Sequence, residues 1–315
     1  MSETLGDWLK LREAADWEAR SSRLVQQVVA AAPHQVAPYA MEGDGYNVLD
    51  LATGTGSNVR YLAERLPGRQ RWLVVDRSPD LLALVTDRTA AWAAARGFEC
   101  HTHATGVRVR HASLDCEIET RQRDLRVLDD AALFAGRQLV TASALLDLVS
   151  ASWLQSLAAQ CRAAGAAVLF ALTYNGESSC SPVEPEDDLI RELLNRHQHT
   201  DKGLGGVAAG PDAVACAERC FIEAGYQVRI EPTDWNIGPA HAGMQRYLIN
   251  DWARAATELA PELGPHITGL ATRQPQEGVA STGVSWRDRR LAHIDAGRSR
   301  IIVRHHDLAG WPARP

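Results

Sequence analysis

The sequence predicts an α/β fold in which a seven-stranded, mostly parallel, doubly wound sheet carries helical lid insertions. Short apolar segments of strand length alternate with helical segments along most of the chain. A pair of glycines follows the first apolar segment, and the second apolar segment ends in an acidic residue. This alternation is typical of a parallel sheet, and 315 residues are enough for one large domain with insertions.

The first half of the chain begins with a predicted helix over residues 5–32. Its apolar residues, including Trp8, Leu11 and Leu24, fall near one face, and Pro33 ends it. A strand, a helix, a strand and a helix are then predicted over residues 46–51, 57–66, 70–76 and 79–96. Residues 107–111 and 118–123 could each be strand, with the acidic stretch between them a turn, and we count this segment as the third strand, with a hairpin or bulge.

In the second half, the same alternation predicts strands over residues 137–142, 166–173, 226–234 and 299–306, and helices over residues 151–164 and 211–224. Two stretches, 175–210 and 239–296, do not fit this alternation. The first contains a predicted helix over residues 185–199, and the second is mostly helical with a loose middle around residues 278–283. We therefore predict an N-terminal helical cap over residues 1–45 and a sheet domain over residues 46–315, with these two stretches as lid insertions.

The composition disfavours several functional classes. The formal net charge is −6 and the pI is about 6.0, so there is no global attraction for a phosphate backbone and nucleic acid is disfavoured as a partner. No signal-peptide pattern or membrane-spanning apolar run is present, so we expect a cytoplasmic protein without membrane contact. The six cysteines form no C-x-x-C pair, which argues against a disulfide framework and a zinc ribbon. The sequence does not indicate an oligomeric state.

The first strand and the loop after it, VLDLATGTGSN at residues 48–58, carry the main functional signal. Ligands of open parallel sheets bind beyond the carboxyl ends of the strands. Gly54 and Gly56 follow the strand that contains Asp50, and glycines there allow a close approach of the backbone to a ligand. The next strand ends in Asp76, twenty residues beyond Gly56, where an acid can accept hydrogen bonds from ribose hydroxyls.

The same motif distinguishes between two kinds of nucleotide. A dinucleotide fingerprint would place a third glycine at the position of Val59. An acidic residue within the strand suits a cationic ligand better than a pyrophosphate. The pattern therefore favours an adenosyl sulfonium over a dinucleotide.

Residues 48–58, together with WLVVDRS at residues 72–78, resemble motif I and the ribose acid of the class I S-adenosylmethionine-dependent methyltransferases, which have a Rossmann-like fold. The resemblance covers residues 46–234 and the last strand, and the chain also looks like an uncharacterised bacterial branch of that superfamily. Ala52 replaces the first glycine of the family pattern. The resemblance implies S-adenosylmethionine as cofactor.

The resemblance also implies roles for individual residues. Asp50 would organise the loop and approach the methionine ammonium group, and Asp76 would hold the ribose. Asp124 would meet the adenine amine, although a solvated loop acid or a helix N-cap explains it equally well. The residues predicted to bind the cofactor are Asp50, Ala52, Thr53, Gly54, Gly56, Asn58, Asp76, Arg77, Ser78, Asp124, Leu125 and Ser143.

The segment after the fourth strand, LVTASALLDLVSASW, lacks the Asn-Pro-Pro-Tyr type of motif found in DNA and protein amide methyltransferases of the superfamily. The resemblance therefore implies a small-molecule acceptor. Asp147 in this segment could deprotonate the acceptor or could be a dipole partner at a helix start. Tyr174 and Asn175 are predicted to reach the same edge of the sheet and contact the substrate.

His197, His199 and Lys202 follow in the first lid insertion. The histidines could abstract a proton from the acceptor and Lys202 could meet a substrate anion. Alternatively, the three residues simply end a helix whose C-terminus favours cations. We predict His197, His199 and Asp147 as catalytic residues, and no metal, because histidines two positions apart do not share a helix face.

Arg12, Asp16 and Arg20 follow one another at intervals of four residues in the N-terminal helix. The spacing predicts a solvated, salt-bridged helix face. In similar methyltransferases an N-terminal helix often covers the cofactor, so Asp16 or Arg20 could instead face the pocket. We include Arg20 among the predicted substrate residues.

The resulting hypothesis is an S-adenosylmethionine-dependent methyltransferase that transfers a methyl group to an oxygen or nitrogen atom of a small molecule. The acceptor would attack the sulfonium methyl group in line and release S-adenosylhomocysteine. One alternative is an RNA methyltransferase, for which Arg287, Arg289 and Arg290 are the nearest basic cluster. A second alternative is a catalytically idle, cofactor-binding regulatory subunit.

Overall fold

Ten strands form one sheet in the computed structural model, which describes residues 4–31, 46–263 and 285–313. In chain order the strands are β1 Tyr46–Leu51, β2 Arg69–Asp76, β3 Glu99–His103, β4 Gly106–His111, β5 Leu114–Gln122, β6 Leu139–Ser143, β7 Ala167–Ser181, β8 Tyr226–Pro232, β9 Trp235–Ile237 and β10 Arg300–Pro312. The helices are α1 Leu5–Ala19, α2 Ser22–Ala31, α3 Ser57–Ala63, α4 Pro79–Ala95, α5 Ala131–Phe134, α6 Ala151–Ala164, α7 Asp187–Gln198, α8 Ala213–Glu223, α9 Ala242–Leu263 and α10 Trp286–Asp295.

The strand order is β3-β4-β5-β2-β1-β6-β7-β10-β8, and β9 pairs with β10. The central strands β5, β2, β1, β6 and β7 are parallel, whereas β10 is antiparallel to both β7 and β8. This order confirms the predicted doubly wound, mostly parallel sheet. The predicted number of seven strands is wrong, because the segment counted as the third strand forms two strands, β4 and β5, and because β3 and β9 are additional short antiparallel strands.

The structure differs from the predicted strands at three further places. Residues 99–103 were not predicted as a strand because ECHTH at the sheet edge is polar and mostly exposed. The predicted acidic turn before residue 118 is wrong, because Leu114, Cys116 and Ile118 alternate inward along a single strand, β5. The strand predicted to end at residue 173 continues as β7 to Ser181, where it pairs with Arg300 of β10.

The single helix predicted over residues 5–32 is two helices that separate at Arg20 and Ser21. Arg20 has an extended backbone, with φ −62° and ψ 144°. The Ser21 side chain accepts a hydrogen bond from the backbone N–H of Leu24 (3.0 Å), and the Ser21 N–H donates to Asp307 (3.0 Å). Because serine caps α2 in this way, the chain changes direction and α1 is free to cross the edge of the sheet.

Both faces of the sheet are covered. Alternate residues of β1 point to opposite sides, so Leu49 packs with α6 and α8 while Val48 packs with α2, α3 and α4. A third apolar cluster joins α1, α7, α9 and α10 to the far ends of β7 and β10. The helices of the two predicted insertions therefore share a core above one end of the sheet. The loose middle predicted around residues 278–283 lies outside the described residues.

Within the described ranges, no helix combines the length and apolar character that crossing a bilayer requires.

Candidate active site

A cavity of about 460 Å³ lies at the carboxyl ends of β1, β2, β5 and β6, a volume typical of small-molecule sites. Helix α1 and residues 202–204 of the first insertion supply the rest of its wall. The predicted site residues that line the cavity are Arg20, Asp50, Ala52, Thr53, Gly54, Asn58, Asp76, Arg77, Ser78, Leu125, Ser143 and Lys202. The sheet therefore brings together residues that are far apart in the sequence.

Asp50 is almost fully buried near the end of β1. Its two carboxylate oxygens accept hydrogen bonds from the Thr53 hydroxyl (2.6 Å) and from the Asn58 amide (2.5 Å). Burial raises the pKa of Asp50 to about 6, and the hydrogen bonds from Thr53 and Asn58 oppose this rise. Asp50 is thus a fixed carboxylate whose charge can be neutralised by a modest fall in pH.

Asp76, at the end of β2, joins the loop after β1 to the loop after β2. One carboxylate oxygen accepts from the Gly54 N–H (3.0 Å) and the other from the Ser78 N–H (2.9 Å). Each oxygen retains a further lone pair, so the carboxylate can accept additional hydrogen bonds from a ligand. The acid therefore has the geometry expected of a residue that binds a diol such as ribose.

The loop between β1 and α3 has three residues in the left-handed backbone region. The φ values are 50° at Ala52, 58° at Gly54 and 78° at Gly56. The alanine that replaces the first family glycine thus adopts a glycine-like conformation, at a cost on the order of 1 kcal/mol. Gly56 does not line the cavity, and a Cβ there would lie 3.1 Å from Val85 and 3.2 Å from Arg60. Its absence of a side chain allows α3 and α4 to pack closely.

Arg20 connects the N-terminal helices to the glycine loop. Its terminal nitrogens donate to Asn58 Oδ1 (2.8 Å) and to Ser143 Oγ (2.6 Å). Its guanidinium also lies 4.8 Å from the centre of the Tyr61 ring. Burial lowers the pKa of Arg20, and the nearby Asp16 and Asp307 carboxylates oppose that change. Through Asn58, Arg20 acts on the same carboxylate that organises the glycine loop.

Helix α1 forms a wall of the cavity with Leu5, Leu9, Arg12 and Asp16. The solvated, salt-bridged face predicted for Arg12, Asp16 and Arg20 is wrong, because these residues are only 9%, 4% and 7% exposed. Arg12 Nε donates to both oxygens of Asp16, at 3.1 and 2.9 Å. Burial raises the pKa of Asp16, and the charges of Arg12 and Arg20 oppose this effect.

Several predicted residues lie away from the cavity lining. His197 Nε2 is 3.1 Å from Glu258 of α9, and His199 Nε2 is 3.7 Å from Asp212. The Tyr174 hydroxyl donates to Asn195 (3.0 Å), and Asn175 Oδ1 accepts from the N–H of Glu177 (3.1 Å). These contacts hold the first insertion together, and the catalytic and substrate roles of the four predicted residues stay predictions.

Asp147 occupies an intermediate position. It sits in a 3-10 turn, Leu146–Leu148, between the cavity-lining residues Leu145 and Leu148. Burial raises its pKa to about 6, and the charges of Arg12 and Lys202 oppose this rise. Its Oδ1 is buried and accepts no hydrogen bond from any residue in the described ranges. Asp147 is therefore an under-satisfied acid close to two cations of the cavity wall.

Asp124 is exposed and pairs with Arg126, whose Nε lies 2.7 Å from Asp124 Oδ2. The hydrogen bond from the Arg126 N–H lowers the pKa of Asp124. Asp124 lines a second, smaller cavity of about 330 Å³ that shares Arg123 and Leu125 with the first. This placement matches the alternative reading of a loop acid, and adenine contact stays a prediction.

The sequence interpretation missed Leu5, Leu9 and Arg12 of α1, and also Leu81, Arg123 and Leu204, and it gave Asp16 only as an alternative. The signal was present in α1. Positions 5, 9, 12, 16 and 20 repeat at intervals of three or four residues, so they fall on one helix face. That face changes from leucine to paired charges, a pattern that suits a ligand wall better than a core.

The sheet is doubly wound, β10 runs antiparallel near one edge, and an acid stands near the ends of β1 and β2, so the architecture agrees with the predicted Rossmann-like fold. No protein-family model matches the chain, and no curated protein matches it either.

Solved structures of low sequence identity are similar to this chain. One is a S-adenosylmethionine-dependent methyltransferase from Geobacter sulfurreducens in complex with S-adenosylhomocysteine, with 15% identity, 96% of this chain and 98% of that chain covered, and a TM-score of 0.39. A second is a geranyl diphosphate methyltransferase in complex with S-adenosylmethionine. Its sequence identity is 9%, the match covers 99% of this chain and 93% of that chain, and the TM-score is 0.40. A third is described as a sarcosine dimethylglycine methyltransferase from Galdieria sulphuraria. Its sequence identity is 9%, the match covers 91% of this chain and 86% of that chain, and the TM-score is 0.38. Such low similarity does not define what this chain binds.

Proposed function

We propose that the protein is an S-adenosylmethionine-dependent methyltransferase that methylates an oxygen or nitrogen atom of a small molecule. The observation that carries the proposal is the pair of acids, Asp50 and Asp76, at the ends of two adjacent parallel strands in one cavity. One acid is buried within a polar network, and the other is held by backbone N–H groups. An adenosyl sulfonium with a free amino group offers a cation to the first and a ribose diol to the second.

The residues around the cavity fit this cofactor along its length. Asp76 suits the ribose hydroxyls, and Leu81 and Leu125 provide apolar surface for an adenine ring. Asp50 and the polar groups of Asn58 and Arg20 lie at the other end, where an amino acid group could be bound.

The same residues disfavour a dinucleotide. A pyrophosphate at the glycine loop would approach the Asp50 carboxylate, and like charges in a buried site repel strongly. Val59, at the position of the third dinucleotide glycine, is fully buried in the core between the sheet and its helices. Both observations support a cationic ligand.

When bound, S-adenosylmethionine would supply an electrophilic methyl group. The residues of this chain contribute position and enclosure. Leu9 of α1 packs against the glycine loop at Gly54, so it excludes water from that part of the cavity. Asp147 could take a proton from an acceptor hydroxyl or ammonium group, because a carboxyl with a pKa of about 6 is mostly ionised at neutral pH. Proximity can supply much of the remaining acceleration.

The arginine cluster that would support an RNA methyltransferase is engaged in contacts within the protein. Arg290 is buried and pairs with Asp187, and Arg289 pairs with Glu184 and Glu186. Arg287 donates to Asn250 (2.7 Å) and lies 3.2 Å from Asp288. These guanidinium groups are used to attach α10 to the start of α7 and to α9, so they do not form an open phosphate-binding patch. We therefore favour a small acceptor.

Calorimetry tests the cofactor directly. S-adenosylmethionine and S-adenosylhomocysteine are titrated into the protein, with NAD as the comparison ligand. We expect both adenosyl ligands to bind and NAD to give no heat; the reverse result would exclude the proposal. Release of S-adenosylhomocysteine in the presence of fractionated small metabolites then distinguishes an enzyme from a regulatory subunit, which would bind the cofactor without turnover.

A further inference from the structure

Arg12 is held in a fixed orientation through its Nε atom, which pairs with Asp16. Its Nε donates to both oxygens of Asp16, and Asp16 Oδ1 also accepts from the indole N–H of Trp235 (3.0 Å). The Arg12–Asp16 pair joins neighbouring turns of α1, while Trp235 belongs to β9 on the opposite side of the wall. The carboxylate is thus fixed by two elements, and it orients the guanidinium in turn.

Two aromatic rings lie beside the same guanidinium and meet each other edge to face, with an interplanar angle of 79°. Its central carbon lies 5.0 Å from the centre of the Trp235 ring and 6.0 Å from that of Trp8. Trp8 itself stacks on Tyr247 of α9 at 4.1 Å and 9°. Because aromatic faces attract a cation and restrict its motion, Arg12 loses little further freedom when it binds a ligand.

The two terminal nitrogens of Arg12 form no hydrogen bond with any residue in the described parts of the chain. This contrasts with Arg20, which follows the last residue of α1 and whose terminal nitrogens both have partners. Arg12 is nine-tenths buried and lines the cavity, so its unused N–H groups are presented to a ligand site. A planar fork of this kind matches the oxygens of a carboxylate or a phosphate.

Arg12 faces the same cavity as the loop after β6. Arg12 and Lys202 line this cavity together with Leu145 and Leu148, which stand on either side of Asp147 in the sequence. Lys202 is already engaged, since its Nζ donates to the His197 carbonyl (2.8 Å) and to the Thr200 hydroxyl (2.9 Å). Of these two cations, Arg12 is therefore the one whose terminal nitrogens have no partner among the described residues.

We propose that Arg12 binds an anionic group of the acceptor, a carboxylate or a phosphate, through its two terminal nitrogens. This inference rests on the proposed function, because it assigns the substrate class of the same cavity. The acceptor would be a small acid with an oxygen or nitrogen nucleophile, oriented by its anion against α1. Arg12 would thus be a specificity-determining residue contributed by the N-terminal helix.

Acetate and inorganic phosphate serve as probes for the two kinds of anion. Each is titrated into the free protein and into the protein saturated with S-adenosylhomocysteine, by calorimetry and by tryptophan fluorescence, since Trp8 and Trp235 flank Arg12. We expect one probe to bind, and its affinity to fall about tenfold or more in Arg12→Lys, which keeps the charge beside Asp16 but loses the fork. Stronger binding of acetate indicates a carboxylate acceptor, and stronger binding of phosphate indicates a phosphate acceptor.

Two further variants control the interpretation. The double variant Arg12→Gln with Asp16→Asn removes both charges, so no unpaired buried acid remains, and it should lose anion binding as Arg12→Lys does. Lys10→Gln removes a cation from the exposed face of the same helix and should bind the probe as the unmodified protein does. Affinity for S-adenosylhomocysteine should stay within about twofold in all three variants.

Equal anion affinity in the unmodified protein and both Arg12 variants would overturn the proposal. A tenfold loss of S-adenosylhomocysteine affinity in Arg12→Lys, with unchanged anion affinity, would also overturn it, because Arg12 would then hold the cofactor. Failure of the cofactor proposal is distinguishable. In that case the unmodified protein would not bind S-adenosylhomocysteine, while loss of probe binding to the free Arg12→Lys protein would still support the anion site.

Discussion

The cavity has two walls of different construction. The wall after β1 is a continuous loop whose backbone turns through Ala52, Gly54 and Gly56 and is fixed by Asp50 and Asp76. The wall formed by α1 consists of side chains on a helix that comes from another part of the sequence. The first wall presents mainly backbone and acids, and the second presents leucines, the Arg12–Asp16 ion pair and Arg20.

The two walls differ in how far their amino-acid sequence can vary without altering the fold. A backbone loop with left-handed residues has few sequence solutions, so it suits a ligand that does not vary, such as a cofactor. A helix face can exchange side chains without altering the fold, so it suits recognition of a particular acceptor. Arg20 is the residue where the two walls meet, because it belongs to the end of α1 and reaches Asn58 beside Asp50.

The largest expected effect is therefore at this junction. Arg20→Ala removes a buried cation that lies near Asp16, Asp307 and Asp50, and leaves these acids without a shared counter-charge. We expect the free energy of unfolding to fall by about 3–5 kcal/mol, measured by urea denaturation. Arg23→Ala is the matched control, because Arg23 is 74% exposed and its pair with Glu231 should contribute less than about 1 kcal/mol. Equal effects would mean that α1 is attached only loosely to the loop.

The next effect concerns the loop wall alone. Asp76→Ala removes the acceptor of the Gly54 and Ser78 N–H groups and the predicted partner of the ribose hydroxyls. We expect the affinity for S-adenosylhomocysteine to fall about 100-fold, since each charge-assisted hydrogen bond contributes on the order of 1.5–3 kcal/mol. Asp80→Ala, at an exposed acid in the first turn of α4, should leave the affinity unchanged in the same titration. An equal loss in both variants would speak against a ribose contact.

The structure of the loop wall could be predicted from the sequence more fully than that of the α1 wall. The order strand, glycine loop, helix, strand and acid could be predicted over residues 46–76 because it depends on neighbours in the sequence. Apolar runs define β1 and β2, and the glycines define the turn between β1 and α3. The cofactor wall could therefore be located, and most of its predicted residues line the cavity.

The α1 wall could be predicted only in part, because its role depends on contacts between distant segments. Nothing local shows that Asp16 meets Trp235, or that the chain bends at Ser21 because Asp307 accepts its N–H. A polar edge strand such as β3 also leaves no apolar signal. Conversely, His197 and His199 look catalytic in the sequence, whereas their described partners are Glu258 and Asp212.

A smaller expected effect is a pH dependence of cofactor affinity that comes from the loop wall. Because burial raises the pKa of Asp50 to about 6, the carboxylate that faces a cationic cofactor is lost as the pH falls through 6. We expect the affinity for S-adenosylmethionine to be constant above pH 7 and to fall towards tenfold per pH unit below about pH 6. Asp50→Asn should bind weakly with little dependence on pH, and Asp147→Asn should keep the dependence of the unmodified protein. A dependence that disappears in Asp147→Asn would assign it to the acceptor end.

The same raised pKa has the opposite consequence for stability. The folded protein holds the Asp50 proton more tightly than the unfolded chain, whose aspartates titrate near pH 4. The stabilisation from this group is therefore present below about pH 4 and is lost as the pH rises towards 6. Asp50→Asn should remove that loss, so comparison of urea midpoints at pH 5 and pH 7 would show a smaller difference between the pH values in the variant.

The smallest expected effect is at His197, in the insertion beside the α1 wall. Its pair with Glu258 is partly exposed, so His197→Gln and Glu258→Gln should each lower the free energy of unfolding by less than about 1 kcal/mol. Both variants should bind S-adenosylhomocysteine as the unmodified protein does. Once an acceptor is known, the methyl-transfer rates of these two variants test the predicted catalytic role of His197. A methyl-transfer rate reduced only in His197→Gln would support a proton-transfer role, whereas equal reductions would show that the contact between α7 and α9 matters instead.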